Sequence, residues 1–174
     1  MDAARERNIF GAFALMISDD IHRSTQSQAR EAGPIASALA LLAHEPGLSI
    51  RTLAAGVSLS HAGAVRLVDR LVAEGLVERR AHSSDGRTRS LYLTRSGAAA
   101  SVEVLAARDR VIADGLSVLS DAELELLGAL SQKVVRARLL GLEHAYQICR
   151  LCCEAACIEC PISAELRQRA RQQQ

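Results

Sequence analysis

The chain contains no tryptophan, and aromatic residues make up only 2% of its 174 positions. Its core must therefore be filled by Leu, Ala and Val, which favours helices. Proline is scarce, with three in the chain, so helical runs go largely uninterrupted. Lysine is nearly missing: of the 21 basic residues only Lys133 is a lysine and the rest are arginine. Arginine grips phosphate and guanine through a planar two-pronged fork, although a GC-rich genome produces the same bias. No apolar run reaches the roughly 18 residues of a membrane span. The start, Met1-Asp2-Ala3-Ala4-Arg5-Glu6, has no signal-peptide character, so a cytoplasmic protein is expected. No nucleophile–base pair and no phosphate loop is visible, and His22, His44, His82 and His144 are scattered without ligand spacing. An enzyme is not expected. Cysteine is missing from the first 148 residues and then appears five times between Cys149 and Cys160.

The net charge of +1 says nothing about nucleic acid, but its distribution does. From Ser60 to Arg95 there are seven Arg and four acids, a local +3 that leaves −2 for the rest of the chain. This stretch lies within Ser58–Gly97, around which the chain is organised. Ala64, Leu67, Val68 and Leu71 recur at three-and-four spacing, as on the core face of a helix. Ala62, Val65, Arg66, Asp69 and Arg70 fall mostly on the other face. Gly75 supplies a left-handed helix end. Leu76–Arg80 and Arg89–Leu93 then form paired strands around a polar loop, His82–Thr88, whose Asp85-Gly86 is a strong turn signal. A helix with an outward arginine, followed by an arginine-tipped hairpin, is a layout for gripping DNA. The helix enters the major groove, about 12 Å wide, and the hairpin tip reaches the neighbouring minor groove. Ser60 and His61 open that helix, where N-terminal residues meet base edges, and Val65 is placed to touch a thymine methyl. The candidate DNA contacts are Ser60, His61, Ala62, Val65, Arg66, Arg70, Asp85, Arg87 and Arg89.

Upstream, Ile9, Phe10, Phe13, Met16, Ile17 and Ile21 keep helical period, and Ser24–Gln28 breaks it. Gly33-Pro34 opens a second helix with Ile35, Ala38, Leu39 and Leu42 on its apolar face. Pro46-Gly47 ends it. Ser49 is placed to cap a third helix, closed by Gly56, and Ser58 to cap the fourth. Helix, glycine-bearing turn, helix is the helix-turn-helix signature. Downstream, Thr94 caps a long run with Val102, Leu105, Val111, Ile112, Leu116 and Leu119 apolar. Ser120-x-x-Glu123 is a capping box that starts a further helix carrying Leu124, Leu127, Leu130, Val134, Val135 and Leu139. These arms are too long and too apolar to lie against a reading head of some 60 residues without a partner. A twofold dimer with interlocked terminal helices is the economical solution. Arg167–Gln174 is polar, and a frayed end is expected there.

The tail holds Cys149-x2-Cys152-x4-Cys157-x2-Cys160 followed by Pro161. Two CxxC pairs make a four-thiolate set suited to tetrahedral zinc or an iron–sulfur cluster. Cys153 is a spare that can stand in for a ligand. Two other readings stay open. The thiols act as a redox switch, or Cys149, Cys153, Cys157 and Cys160 form an apolar stripe on a continuing sixth helix.

The residues Leu53-Ala54, Leu59-Ser60, Arg66-Leu67-Val68-Asp69-Arg70-Leu71, Gly75-Leu76-Val77-Glu78-Arg79, Asp85-x-Arg87 and Leu91-x-Leu93-Thr94-x-x-Gly97 together resemble the MarR family of winged helix regulators. The resemblance spans Ile9 to Leu139. It implies that Arg87 enters the minor groove and that Asp85 braces the wing. It also implies a dimeric repressor released from DNA by small phenolic ligands, metals or oxidants. Gly63 and Ala64 depart from the family pattern, so the base preference does not carry over, and Gly86 stands where a second arginine is frequent, which weakens the expected wing contacts. The fold expected is mainly α: a winged helix-turn-helix with a two-stranded β-hairpin wing and N- and C-terminal dimerisation helices. Residues 1–145 form that domain, with the reading head at about 34–97 and dimerisation helices at about 3–23 and 98–145. Residues 146–174 form the cysteine-rich extension and polar tail. The expected function is a homodimeric, sequence-specific transcriptional regulator on a palindromic double-stranded DNA operator, with no membrane partner. It is relieved by a small-molecule or redox effector, with the tail sensing metal or redox state. The alternative is a metal-binding electron-transfer or interaction protein that uses the winged helix for docking; the outward arginines argue against it.

Overall fold

The computed structural model describes residues 2–28, 34–81 and 89–172. Eight α-helices and a small antiparallel sheet are present among them. The helices are α1 (Ala3–Gln28), α2 (Pro34–His44), α3 (Ile50–Gly56), α4 (His61–Ala73), α5 (Arg95–Leu116), α6 (Asp121–Arg138), α7 (Leu142–Cys149) and α8 (Pro161–Gln172). The strands are β1 (Leu48–Ser49), β2 (Val77–Ala81) and β3 (Arg89–Leu93), in the order β1-β3-β2.

The core gathers on α2. Every residue from Ile35 to Leu42 is buried, so this helix is enclosed rather than amphipathic. Leu39, Leu41 and Leu42 meet Leu53 of α3, Val68 and Leu71 of α4, Val77 of β2 and Leu91 of β3. The hairpin was expected as two strands, but β1 adds a third: Leu48 pairs with Leu91 and Ser49 with Ser90. Gly47, at φ +92, turns the chain into that pairing and donates its N–H to the Leu91 carbonyl at 2.8 Å. Two residues are too short to show alternation in a sequence, so β1 left no periodic signal.

The ends of the reading helices follow local chemistry. Ser49 caps α3 by accepting from the Thr52 N–H at 3.1 Å. The cap of α4 is Ser60, not Ser58: the Ser60 hydroxyl accepts from the Gly63 N–H at 3.1 Å. Ser58 instead occupies the left-handed region of the turn, at φ 57. Gly75, at φ +69, closes α4, with Gly75 N–H on the Val72 carbonyl and Leu76 N–H on the Leu71 carbonyl, the paired-bond helix end that a glycine favours. Thr94 then joins three elements. Its backbone N–H donates to Leu76 and its hydroxyl to the Gly75 carbonyl, while that oxygen accepts from Gly97 N–H to cap α5.

The arms differ from expectation in four places. The first helix does not stop before Ser24 but runs to Gln28. Thr25 is buried and returns its hydroxyl to the Ile21 carbonyl, and the Ser24 hydroxyl reaches the Ala107 carbonyl on α5. Polar residues thus stay helical by bonding backbone carbonyls. On α5 the buried face is Gly97, Ser101, Val104 and Ala107, while Val102 is 65% exposed; small residues let α1 and α2 approach closely. The sixth helix ends at Arg138, and α7 turns back onto the reading head rather than continuing it. The Gln147 amide donates to the Ala55 carbonyl at 3.0 Å, and Tyr146 packs beside Gly56 and the main core. Finally, Arg167–Gln172 is not frayed but is the end of α8. Arg169 pairs with Glu165 and donates to the Leu139 and Arg136 carbonyls at the end of α6, where a cation satisfies unpaired carbonyls. A second small core of Leu139, Ala145 and Ile162 holds this region together.

One glycine is fixed by space alone. A Cβ on Gly97 would lie 1.9 Å from the Leu76 carbonyl oxygen, a clash with backbone that no rotamer relieves. Gly97→Ala is expected to cost about 1–3 kcal/mol or more, visible as a melting temperature several degrees lower. Unchanged melting would show that α5 and the β2 entrance are not seated this closely.

Candidate functional site

The outward face of α4 is the first candidate. Ala64, Val68 and Leu71 are fully buried against the core, which forces the opposite side of the helix outward. His61, Ala62, Arg66 and Asp69 are exposed, Ser60 is exposed at the cap, and Val65 and Arg70 are half-buried. The structure therefore brings six of the predicted contacts onto one surface: Ser60, His61, Ala62, Val65, Arg66 and Arg70. Asp85 and Arg87 lie outside the described residues. The backbone of Arg89 lies in β3, opposite Ala81.

Ion pairs fix the surroundings of that face. Arg70 holds Glu74 at 2.7 Å one turn on, at the closed end of the helix. Asp69 holds Arg79 of β2 at 2.6 Å, tying the reading helix to the wing's first strand. Arg80 pairs with Glu78 and lies over the Tyr92 ring, 4.6 Å from its centre. Among the described residues Arg66 has no such ion pair, so its guanidinium is available. The Asp69–Arg79 and Arg80–Tyr92 contacts escaped sequence reasoning, because nothing in the spacing relates α4 to β2.

The cysteine tail is the second candidate. Between α7 and α8 the chain makes one 3-10 turn, Glu154–Ala156. The break removes the continuous helix that an apolar cysteine stripe requires. Cys149, Cys152, Cys157 and Cys160 line a single cavity of about 180 Å3, together with His44 at the end of α2 and Ser163 and Arg167 on α8. Cys153 does not line it. No group of three or more His, Cys, Asp or Glu among the described residues is arranged to hold one metal ion. The sulfurs act on one another, most strongly Cys149 with Cys152, and Cys157 with Cys160.

In each pair one sulfur carries the negative charge more easily. The hydrogen bond from Cys149 brings the Cys152 thiol down to about 6; burial opposes this, while Arg108 and His44 assist. Cys149 moves the other way, through its bond to Cys152, its burial and the charge of the neighbouring thiols. Cys160 is raised by burial, but hydrogen bonds from Ser163, Ile162 and Cys157 outweigh that and hold it below the ordinary thiol range. It sits at the start of α8, where N–H groups favour a thiolate. Burial and the Cys160 charge raise Cys157. Arg108 and His44 were not foreseen as neighbours of these thiols; they come from α5 and α2, remote in sequence.

A face of α4 that is buried on one side and open on the other, beside a three-stranded wing, defines a winged helix-turn-helix. Residues 36–88 match the model of the MarR family. The winged helix of this chain is thus similar to the MarR family over those residues. Solved structures agree in fold. The YusO protein from Bacillus subtilis is 24% identical, with a TM-score of 0.64 over 77% of this chain and 94% of that one. The Mycobacterium tuberculosis MarR family protein Rv2887, in complex with p-aminosalicylic acid, is 20% identical, with a TM-score of 0.59 over 73% and 95%. A MepR variant from S. aureus bound to an oligodeoxyribonucleotide is 20% identical, with a TM-score of 0.55 over 77% and 98%. No curated protein matches the chain. No helix among the described residues is long and apolar enough to cross a membrane.

The thiol pairing has a chemical consequence. In metal-free, reduced protein, Cys152 is expected to be alkylated fastest at neutral pH, with its rate falling as the pH drops below about 6. Mass-spectrometric mapping of iodoacetamide adducts against time checks this. Faster labelling of Cys149 than of Cys152 would reverse the assignment.

Proposed function

We propose that the protein is a sequence-specific transcriptional repressor that binds a palindromic operator as a homodimer and is relieved by an effector. The open N-terminal half of α4, with His61, Ala62 and Arg66 exposed over a fully buried opposite face, carries the DNA reading. It supports insertion of this helix into a major groove, with Arg66 reaching a phosphate or a guanine edge. The MepR variant bound to an oligodeoxyribonucleotide is consistent with that use of the fold.

The dimer rests on unpartnered apolar surface. Helix α6 has no buried residue along its 18 positions. Leu126, Leu130 and Val134, spaced by four, are each more than half exposed, as are Phe10, Leu15 and Met16 on α1. Two helices with bare apolar stripes call for a second copy. A cleft of about 860 Å3 between α1, α2, α5 and α7 offers an effector site, with Ile17 and Ile21 as apolar wall and Arg108, His144 and Arg150 as polar groups. A small aromatic acid suits this lining, and the complex of Rv2887 with p-aminosalicylic acid supports that class. The cysteine cavity adds metal or redox sensing: Cys152 lines both spaces.

Two substitutions test this reading. Arg66→Ala is expected to weaken operator binding by about 1–3 kcal/mol. If the contact is to phosphate, the salt slope also falls by about one unit. Wild-type affinity in the variant, measured by gel shift against the chain's own upstream DNA, removes α4 as the reading helix. Leu130→Asp is harmless to an isolated chain, since that side chain is exposed, but places a carboxylate in a dimer seam. Loss of the dimer in sedimentation, and with it of specific DNA binding, is expected. A Leu130→Asp protein that remains dimeric and protects the full palindrome overturns the proposed seam.

A further inference from the structure

The cysteine segment connects two parts of the molecule that must agree on geometry. At its start, α7 is fastened to the reading head, through Gln147 on the Ala55 carbonyl and Tyr146 on the core beside Gly56. At its end, α8 is fastened to α6, through Glu165 with Arg136 and Arg169, and through Arg169 on the Leu139 carbonyl. Cys149 and Cys152 belong to the first attachment, and Cys157 and Cys160 to the second. The four sulfurs face one cavity across that junction.

The size and lining of the cavity select what would fill it. Zinc draws four thiolates onto one point with bonds of about 2.3 Å, so all four sulfurs close to within about 4 Å of one another. Here the four sulfurs lie near enough to act on one another, yet no three ligating side chains among the described residues converge on a single ion. The space between them is about 180 Å3, and about 150 Å3 already admits a benzene-sized guest. A polyatomic centre, with atoms of its own between the sulfurs, fits that space; a bare ion does not. The surroundings favour negative charge. Arg167 and His44 line the cavity, Arg108 acts on Cys152 and Cys157, and no carboxylate lines it among the described residues.

We propose that Cys149, Cys152, Cys157 and Cys160 bind an iron–sulfur cluster, and that the cluster clamps the reading head to α6. Each sulfur binds iron as a thiolate. Four cysteine sulfur–iron bonds replace the four iron–thiolate bonds by which small thiols hold a preformed cluster; those small thiolates leave and take up the protons still on the cysteine thiols, and no oxidation state changes. The cluster itself stands apart from the DNA reading; the effect of the clamp on operator affinity rests on it.

The test uses the full chain purified without oxygen, analysed for iron, acid-labile sulfide and zinc, and by visible absorption. Comparable amounts of iron and sulfide with a brown colour are expected. They should also be restored when metal-free chain is reconstituted, without oxygen, with ferric and ferrous iron and sulfide. Replacement of any one of Cys149, Cys152, Cys157 or Cys160 by serine abolishes both, while Cys153→Ser retains them; circular dichroism establishes that each variant is folded. A colourless chain with bound zinc overturns the cluster, and so does a chain that takes up neither iron nor zinc. Operator affinity of cluster-loaded and cluster-free protein at fixed salt is expected to differ by about 5- to 150-fold. Equal affinities overturn the clamp and leave the cluster standing. No DNA binding by either form, with iron and sulfide present, overturns the regulator reading instead.

Discussion

The burial of α2 on all sides is the constraint on which the rest depends. A helix of alanine, leucine and isoleucine with no polar face has to be enclosed, and a single layer of structure cannot do that. Here α3 and α4 cover one flank, the sheet a second, and α5 a third, with α1 packed on α5. The open side of α4 is therefore a consequence of what its other side must do. Val68 and Leu71 belong to the core built on α2, with Leu67 packed against it and Ala64 buried, so His61, Ala62, Arg66 and Asp69 are left to face out.

The elements that read correctly from sequence are those whose cause is local. Ser49, Thr94 and the Ser120–Glu123 pair cap helices through neighbours three residues away, and Gly75 ends α4 through its own backbone. The apolar face of α4 was equally plain, because burial of Ala64, Val68 and Leu71 repeats the helical period. Ser60 rather than Ser58 as the cap is a two-residue choice that only the turn geometry decides. The elements that did not read correctly depend on distant partners. β1 exists because Leu91 and Ser90 offer it an edge. Helix α8 persists because Arg169 finds the carbonyls of α6. Val102 looked like core by hydrophobicity, yet the close approach of α1 and α2 to α5 demanded small Ser101 and Ala107.

The candidate site divides the same way. The α4 contacts and the four cysteines were evident as residue types at a spacing. The break after Arg138, the docking of α7 on α3, and the presence of Arg108 and His44 near the thiols came only with the fold. The wing tip, with Asp85 and Arg87, lies outside the described residues, so its role rests on the sequence pattern alone.

Helix α5 begins within the reading head, at the Thr94 junction with Gly75 and Leu76, and ends among the arms, with no joint between. Its 22 residues span about 33 Å. As a rigid rod pivoting at its arm end, it needs to tilt by only about 6° to displace the head by about 3.4 Å, one step along a DNA strand. In the proposed dimer, each head would read one half-site at a fixed helical phase. A lever of this kind would tune the pair to the pitch of the DNA, and a tilt of that size at the pivot would put the two heads out of phase with the groove.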